Sequence, residues 1–434
     1  MLMVGWFPLD KECPLKIALQ CSAVYLDKDF EGWASAWCIP INVGSLSSIQ
    51  LLATMRAERL CRWALRCWMG LILVLGMSCH FYSSNRRRLV HSRVLQAYSW
   101  LTIAANLALY YVYYIYAITY FAEGTFRRQR FVIQVCEGNV RLQIVILALQ
   151  TLMRLLREGE VCQAYNEITE ILDGELSHQT HSRFYCVAFL AKIFSFVHNF
   201  NIALSILMIW GMRTFGVSDF LANLYFVYNS LARDAVQLAY TLLLLDLREA
   251  LRANGQRRRD SHDSYGQLME QLRRQERLLA IGRRVHRLFE WLVAANLFFQ
   301  LYFNTATIYL GYAFVIQRQD ALGLRVYRLK LLLTGLIFLV KLGDALLLQI
   351  VCERLLAEEN QVCASPKIRQ QDGANAKAIH RQWEMSVLRR AIRRASSENK
   401  VLGMFRMDMR CAFALISCSL SYGVIIIQLG YVHS

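Results

Sequence analysis

The stretch Ser421–Gly430, SYGVIIIQLG, closes an apolar run that begins at Met409. Its polar side chains Tyr422 and Gln428 cost free energy in hydrocarbon unless a partner or water takes their polar atoms. The helix therefore either packs inside a bundle or lines a wet passage. Stepping back from Gln428 by 7, 11, 14 and 18 positions reaches Ser421, Ser417, Ala414 and Arg410, with Val424 in the same stripe. At 3.6 residues per turn these share one narrow face that is small and polar. Phe413, Leu415, Leu420, Ile426 and Ile427 occupy the other sectors. Such a face suits water, and it equally suits close packing between membrane helices.

Composition extends this reading to the whole chain. The 434 residues are 56% hydrophobic and 12% aromatic with 4 prolines, and the mean hydropathy is +0.29. That is too apolar for a soluble protein of this length and places the chain in a membrane. Apolar stretches of about the 20 residues a spanning helix needs run Val94–Phe121, Phe131–Met153, Phe184–Trp210, Phe220–Leu247, Trp291–Ile316, Leu331–Val351 and Met409–Leu429. The fold class is thus all-α, with seven transmembrane helices. A further run, Trp63–Tyr82, is interrupted by Arg66, Gly70, Gly76 and His80 and reads either as a further span or, in preference, as an interfacial segment within residues 55–93. Residues 1–54 show no usable periodicity and no signal-peptide pattern, and receive no role.

The formal charge of +17 comes from basic residues concentrated between the spans, a topology signal and not a nucleic-acid footprint. Residues 83–93, the linker 251–290 and the linker 357–405 hold most of the arginines, and the intervening loops are shorter and less basic. The positive-inside rule then gives a cytoplasmic N-terminus and an extracellular C-terminus, opposite to G-protein-coupled receptors. The 13 cysteines are scattered, without CxxC or His/Cys ligand spacing, so neither a metal site nor a disulfide framework is expected. No cofactor or enzyme signature is present: GxSxG, HExxH, P-loop and GxGxxG are all missing in a supporting context. A transporter would ask for unpaired acids along a route or an internal repeat, and neither is evident.

The segment Ser421, Tyr422, five residues, Gln428, Leu429 resembles the C-terminal signature of insect gustatory receptors, Thr-Tyr, five hydrophobic residues, Gln-Phe. Ser stands for Thr and Leu for Phe. The resemblance covers Met55 to the end. It implies a chemosensory, ligand-gated, non-selective cation channel in the plasma membrane of chemosensory neurons, a homo- or hetero-tetramer opened by a small-molecule tastant. It also implies a pore lined by the last helix, so that Ser417, Ser421, Val424, Ile425 and Gln428 would face the ion path. Val424 and Ile425 would then form a hydrophobic constriction, Gln428 a polar ring, and Tyr422 a packing residue off the axis. The departures bear on ion selectivity and the gate. The other reading is a seven-span chemoreceptor that signals through a cytoplasmic transducer and has no pore.

Ligand candidates come from polar seams flanked by aromatics. Asn296, Gln300, Asn304, Thr307 and Gly311 share a face beside Phe303, Tyr309 and Tyr312. Asn223, Ser230, Asp234, Gln237 and Thr241 form a second seam with Tyr225 and Tyr228 near its outer end. Polar groups converging among aromatics suit a small organic ligand, and the same seams serve as interhelical hydrogen-bond glue. Asn201, Tyr225, Asn229, Asn304, Thr307 and Tyr309 are the candidate contacts. Charges inside the spans are expected to pair on one helix, Glu137 with Arg141 and Lys341 with Asp344. Trp383, Val387, Leu388 and Ile392, opposed by arginines, describe an amphipathic inner helix, and Leu268, Leu272, Leu279 and Val285 describe another that extends the fourth or fifth span. The resemblance implies that these inner helices join the subunits; contact with anionic membrane lipid is the alternative.

Overall fold

The computed structural model describes residues 60–61, 63–83, 88–123, 130–175, 182–211, 217–260, 265–316, 324–361, 381, 384, 401–402 and 407–432. Residues 1–54, most of the expected outer loops and the amphipathic segment at Trp383, Val387, Leu388 and Ile392 lie outside the described residues. So do the side chains of Asn201, Asn223, Leu268 and Leu272.

Among the described residues, each expected span falls within one long helix. Helix α1 is the short Trp63–Val74, followed by strands β1 (His80–Ser83) and β2 (Arg88–His91). The long helices are α2 (Arg93–Glu123), α3 (Arg130–Glu175), α4 (Arg183–Gly211), α5 (Val217–Asp260), α6 (Tyr265–Ile316), α7 (Leu324–Gln361) and α8 (Met409–Val432). Helix α8 is the one that is by itself long and apolar enough to cross a bilayer, over Met409–Gly430, with mean hydropathy 1.9.

At about 1.5 Å per residue, the 46 residues of α3 and 52 of α6 are roughly twice as long as a ~30 Å hydrocarbon core. The surplus gathers at one end of the bundle. There Glu167 of α3 meets Arg284 of α6 at 2.5 Å, and Arg248 of α5 meets Glu358 of α7 at 2.9 Å. Glu249 of α5 accepts a hydrogen bond from the Ser182 backbone amide at the start of α4, at 3.0 Å. The linker expected to extend the fourth or fifth span extends both. Its Leu251, Leu278, Ile281 and Val285 join Leu244, Leu247, Phe289, Val351 and Leu355 in the main buried core. Outside hydrocarbon the hydrophobic effect operates fully, at about 1.5–3 kcal/mol per buried side chain, whereas within lipid it gives little. The main core runs from these extensions into the spans, where Phe189, Leu231, Leu238 and Leu292 belong to the same cluster. A smaller cluster, Val135, Cys136, Ala306 and Tyr309, lies at the far end, where the C-terminus of α8 also lies, with Tyr309 against Gly430.

The β-hairpin departs from the all-α expectation. His80 pairs with His91 and Ser83 with Arg88 in an antiparallel register. Residues 83–93 read in sequence as a basic inner loop because strands of four residues carry almost no periodic signal. Glu158 of α3 fastens the hairpin: its carboxylate accepts from the Ser78 hydroxyl and Cys79 amide at 2.7 Å and contacts His80 Nδ1 at 3.1 Å. Burial pushes this carboxyl up, and the hydrogen bonds from His80, Ser78 and Cys79 outweigh it, so its pKa lies below the ordinary value.

The run Trp63–Tyr82 does not cross as one helix. It stops at Val74, about 18 Å long, and turns at Gly76, whose φ of 62° favours glycine. A Cβ there would meet Thr102 at 2.6 Å. The carbonyls freed at this helix end accept from Tyr98 (to Val74, 2.6 Å), Tyr228 (to Leu75, 3.1 Å) and Thr102 (to Gly76, 3.2 Å). Cys61, Ala64 and Trp68 are buried against the core.

One charge pairing differs from expectation. Glu137 and Arg141 do pair along α3. Lys341 and Asp344 instead each reach another helix: Lys341 bonds Asp234 of α5 at 2.9 and 3.1 Å, and Lys192 of α4 bonds Asp344 at 2.5 Å. Both acids are buried. Two crossed bridges tie three helices, and each charge gains a partner that its own helix could not place as closely in the interior.

Candidate channel helix and ligand site

Asp408 begins the last helix as its N-cap, its carboxylate accepting from the Cys411 amide at 3.0 Å. Helix α8 then packs on α6 through Ser419, Gly423 and Gly430, and Ala412 is buried on the same narrow small-residue stripe. A Cβ on Gly423 would come within 2.9 Å of Ile308, and one on Gly430 within 2.5 Å of the Tyr309 hydroxyl. The two glycines give up helix propensity, about 1 kcal/mol each, for close approach. Ile426 and Ile427 fill the space beside the stripe.

At about 100° per residue this stripe lies opposite Gln428. Ser417, Ser421, Val424, Ile425 and Gln428 are all exposed, with Val424 54% and Ile425 46% accessible. Tyr422 (51%) and Leu429 lie on one flank of that face, Phe413 and Leu420 on the other, and all four are exposed. Only 17% of the span is buried within the chain. A polar stripe bounded by two apolar flanks cannot rest against lipid without cost. It needs water along the stripe and protein or lipid along the flanks.

The ligand candidates fall into two groups. Tyr225 of α5 is fully buried and packs its ring against Tyr113 and Tyr110 of α2, with centroids 5.0 and 5.7 Å apart. Asn229 donates to Gln143 of α3 at 3.4 Å. On α6, Asn304 has no exposure and donates to Ser419 of α8 at 3.5 Å, while its carbonyl oxygen lacks a partner. Thr307 donates to the Phe303 carbonyl at 2.7 Å, and Tyr309 sets its ring against Phe131 at 5.5 Å. The first group faces α2 and α3 and the second faces α3 and α8, so they do not converge on one described cavity. The Asn304 contact instead ties the α6 seam directly to the channel helix.

Further along α5 from Tyr225 and Asn229 lies the buried charge system of Asp234. Asp234 accepts from Asn199 at 3.0 Å besides Lys341, and Arg233 lies 4.6 Å over the Phe299 ring. Asp234 belonged to the α5 seam in sequence, but spacing along one helix gives no sign of partners on α4 and α7. The structure also gathers His80, Glu158 and Cys162, whose ligand atoms lie within 4.8 Å of one another. Because Glu158 already accepts three donors, the group reads as a hairpin fastening.

The sequence profile of the 7tm chemosensory receptor family matches residues 65–433. A putative gustatory receptor 10b of Drosophila melanogaster is 62% identical over 378 residues, 87% of this chain and 100% of that relative. The chain belongs to the insect gustatory receptor family. Its fold is similar to that of the olfactory receptor OR5 from Machilis hrabei in complex with eugenol, with a TM-score of 0.56 at 12% identity over 86% of this chain and 99% of that one. The OR5 structure described without eugenol gives 0.54 at the same identity and coverage. A gustatory receptor is a membrane protein whose task is chemosensory, so the exposed face of α8 and the aromatic seams are the surfaces on which that task must be placed.

Proposed function

We propose that this gustatory receptor chain is a ligand-gated, non-selective cation channel opened by small tastant molecules. It has seven spans, a cytoplasmic N-terminus and an extracellular C-terminus, and assembles as a homo- or hetero-tetramer in the plasma membrane of chemosensory neurons. The observation that carries the reading is the exposed face of α8, where Ser417, Ser421, Val424 and Gln428 lie opposite the stripe that packs on α6. Brought around a common axis, four such faces form a water-filled path, and the flanks holding Tyr422 and Phe413 meet the adjacent subunits. Val424 and Ile425 form the constriction that closes by dewetting, and Gln428 forms the polar ring.

The tastant acts at the seams of α5 and α6, with Asn201, Tyr225, Asn229, Asn304, Thr307 and Tyr309 as contacts, alone or in successive states. Eugenol in the complex with the Machilis receptor supports a small organic ligand as the class. The Asn304–Ser419 contact gives the seam a direct mechanical link to the pore helix. A ligand that takes the Asn304 amide releases Ser419 and shifts α8, which is the differential contact that gating requires.

The test is topology joined to current. A tag added after Ser434 is expected to be labelled on intact cells, and the same cells are expected to carry tastant-evoked currents in the absence of G-protein turnover. A tag reached only after permeabilisation, or responses abolished by blocking G proteins, would instead indicate a receptor that signals through a cytoplasmic transducer.

A further inference from the structure

A cavity of about 170 Å³ lies between α1, α2, α3, α5 and α6, bounded by Trp68, Ile103, Leu147, Tyr228, Ala235 and Phe289 and reaching the hairpin at His80. It is distinct from the tastant contacts: none of Tyr225, Asn229, Asn304, Thr307 or Tyr309 lines it, and of the α5 seam only Tyr228 borders it. Its wall is predominantly apolar but carries unmet polar atoms. Gln150 is 3% exposed, and neither its amide nitrogen nor its amide oxygen has a partner. The Asn106 amide oxygen and the Trp68 ring nitrogen, also on the wall, are unmet as well. A buried amide that forgoes both of its hydrogen bonds carries a desolvation cost that only an occupant can offset.

Size and chemistry narrow the occupant. An apolar cavity of about 150 Å³ accepts benzene, so this one holds a single ring, or an equal aliphatic body, with a small substituent. Gln150 offers a donor and an acceptor together, which a hydroxyl answers by donating to Oε1 and accepting from Nε2. No lysine or arginine lines the space, and its His80 is already engaged by the Glu158 carboxylate, itself on the wall, which disfavours a carboxylate. Leu107 lines the cavity and is 49% exposed on the outer surface of the bundle, so a lipophilic molecule has a way in from the bilayer side. We propose that this cavity is a second ligand site of the receptor, for a small neutral alcohol or phenol whose hydroxyl bonds Gln150. The assignment does not rest on the channel reading, because occupancy is measured without current.

The experiment uses the full chain purified into phosphatidylcholine nanodiscs and 4-azidophenol as a photoactivated probe, with labelled residues mapped by mass spectrometry. Labels are expected on cavity residues such as Met69, Met153 and Tyr228 and to be displaced by excess 4-methylphenol. Labelling should fall about tenfold in Gln150→Leu, a variant expected to melt no lower than the parent because it removes two unmet polar atoms. Ala239→Leu, which fills the cavity from the α5 wall, should lower labelling independently. Labels confined to other surfaces, labelling that 4-methylphenol does not displace, or undiminished labelling in Gln150→Leu would overturn the site. A Gln150→Leu chain that melts below the parent would do the same, since Gln150 would then be satisfied without a ligand.

Discussion

Asp234 concentrates the electrostatics of the bundle interior in one carboxylate, holding Lys341, Asn199 and the edge of Arg233. Removing one member leaves buried charge without a partner, which costs about 3–5 kcal/mol, more than the net worth of the pair. Asp234→Asn should therefore lower the melting temperature of the purified receptor sharply. Adding Lys341→Met should recover part of the loss, and an additive double variant would show that the two residues are not coupled. A second expectation concerns His286, half-buried on α6 beside the Tyr240 hydroxyl at 2.9 Å. Burial lowers its pKa to about 4. The unfolded chain binds its proton below about pH 6.5 while the folded chain binds it only near pH 4. Stability is thus full above pH 6.5 and declines as pH falls through that window. His286→Gln should flatten this part of the melting profile, and an unchanged slope would mean that the ring is not buried neutral. Residue spacing within a helix was enough to find the Gln428 face and the Glu137–Arg141 pair. It could not find Lys341 with Asp234, or His80 with Glu158, because those partners are joined only by packing between segments far apart in sequence.

Helix α8 has a packed side and an open side. Its packed stripe is made of residues small enough for α6 to approach, and its open side carries the polar residues that lipid would penalise. In a chain whose Cys411 and Cys418 are replaced by serine, cysteines at Ser417, Ser421 and Val424 should react with small charged thiol reagents. Cysteines at Ala412, Ser419, Ile426 and Ile427 should stay protected. The reverse pattern would place the polar face in a packing seam. The seven long helices were legible because apolar runs of about 20 residues have few alternatives. Their extensions beyond the apolar runs were only partly legible, since Leu278, Ile281 and Val285 are interleaved with arginines and the composition reads as linker. The hairpin was missed because its order comes from Glu158 and Asn166 on α3, not from its own strands.

At the scale of the molecule, a dense inner core, crossed charge bridges and a lightly held last helix describe a rigid frame around one element with room to move. The frame is one continuous core that joins span residues such as Phe189, Leu238 and Leu292 to extension residues such as Leu251, Leu278 and Val285. Helix α8 meets it mainly through one stripe and the Asn304 contact. The candidate ligand residues could be named from aromatic and polar seams, but their division between α2 and α8 could not, because a seam on one helix does not specify which neighbour covers it. The central claim is that four copies of the α8 face enclose the ion path. The measurement that tests it most directly is the reversal potential of currents from the purified chain, reconstituted alone in a planar bilayer and challenged with sugars, bitter compounds and lipids, in the parent and in Gln428→Glu. A ring of added charge in a narrow, poorly screened pore acts strongly on divalent ions. The account predicts evoked currents in both chains, with the calcium-to-sodium permeability ratio raised severalfold in Gln428→Glu. Evoked currents with identical reversal potentials in the two chains would contradict it.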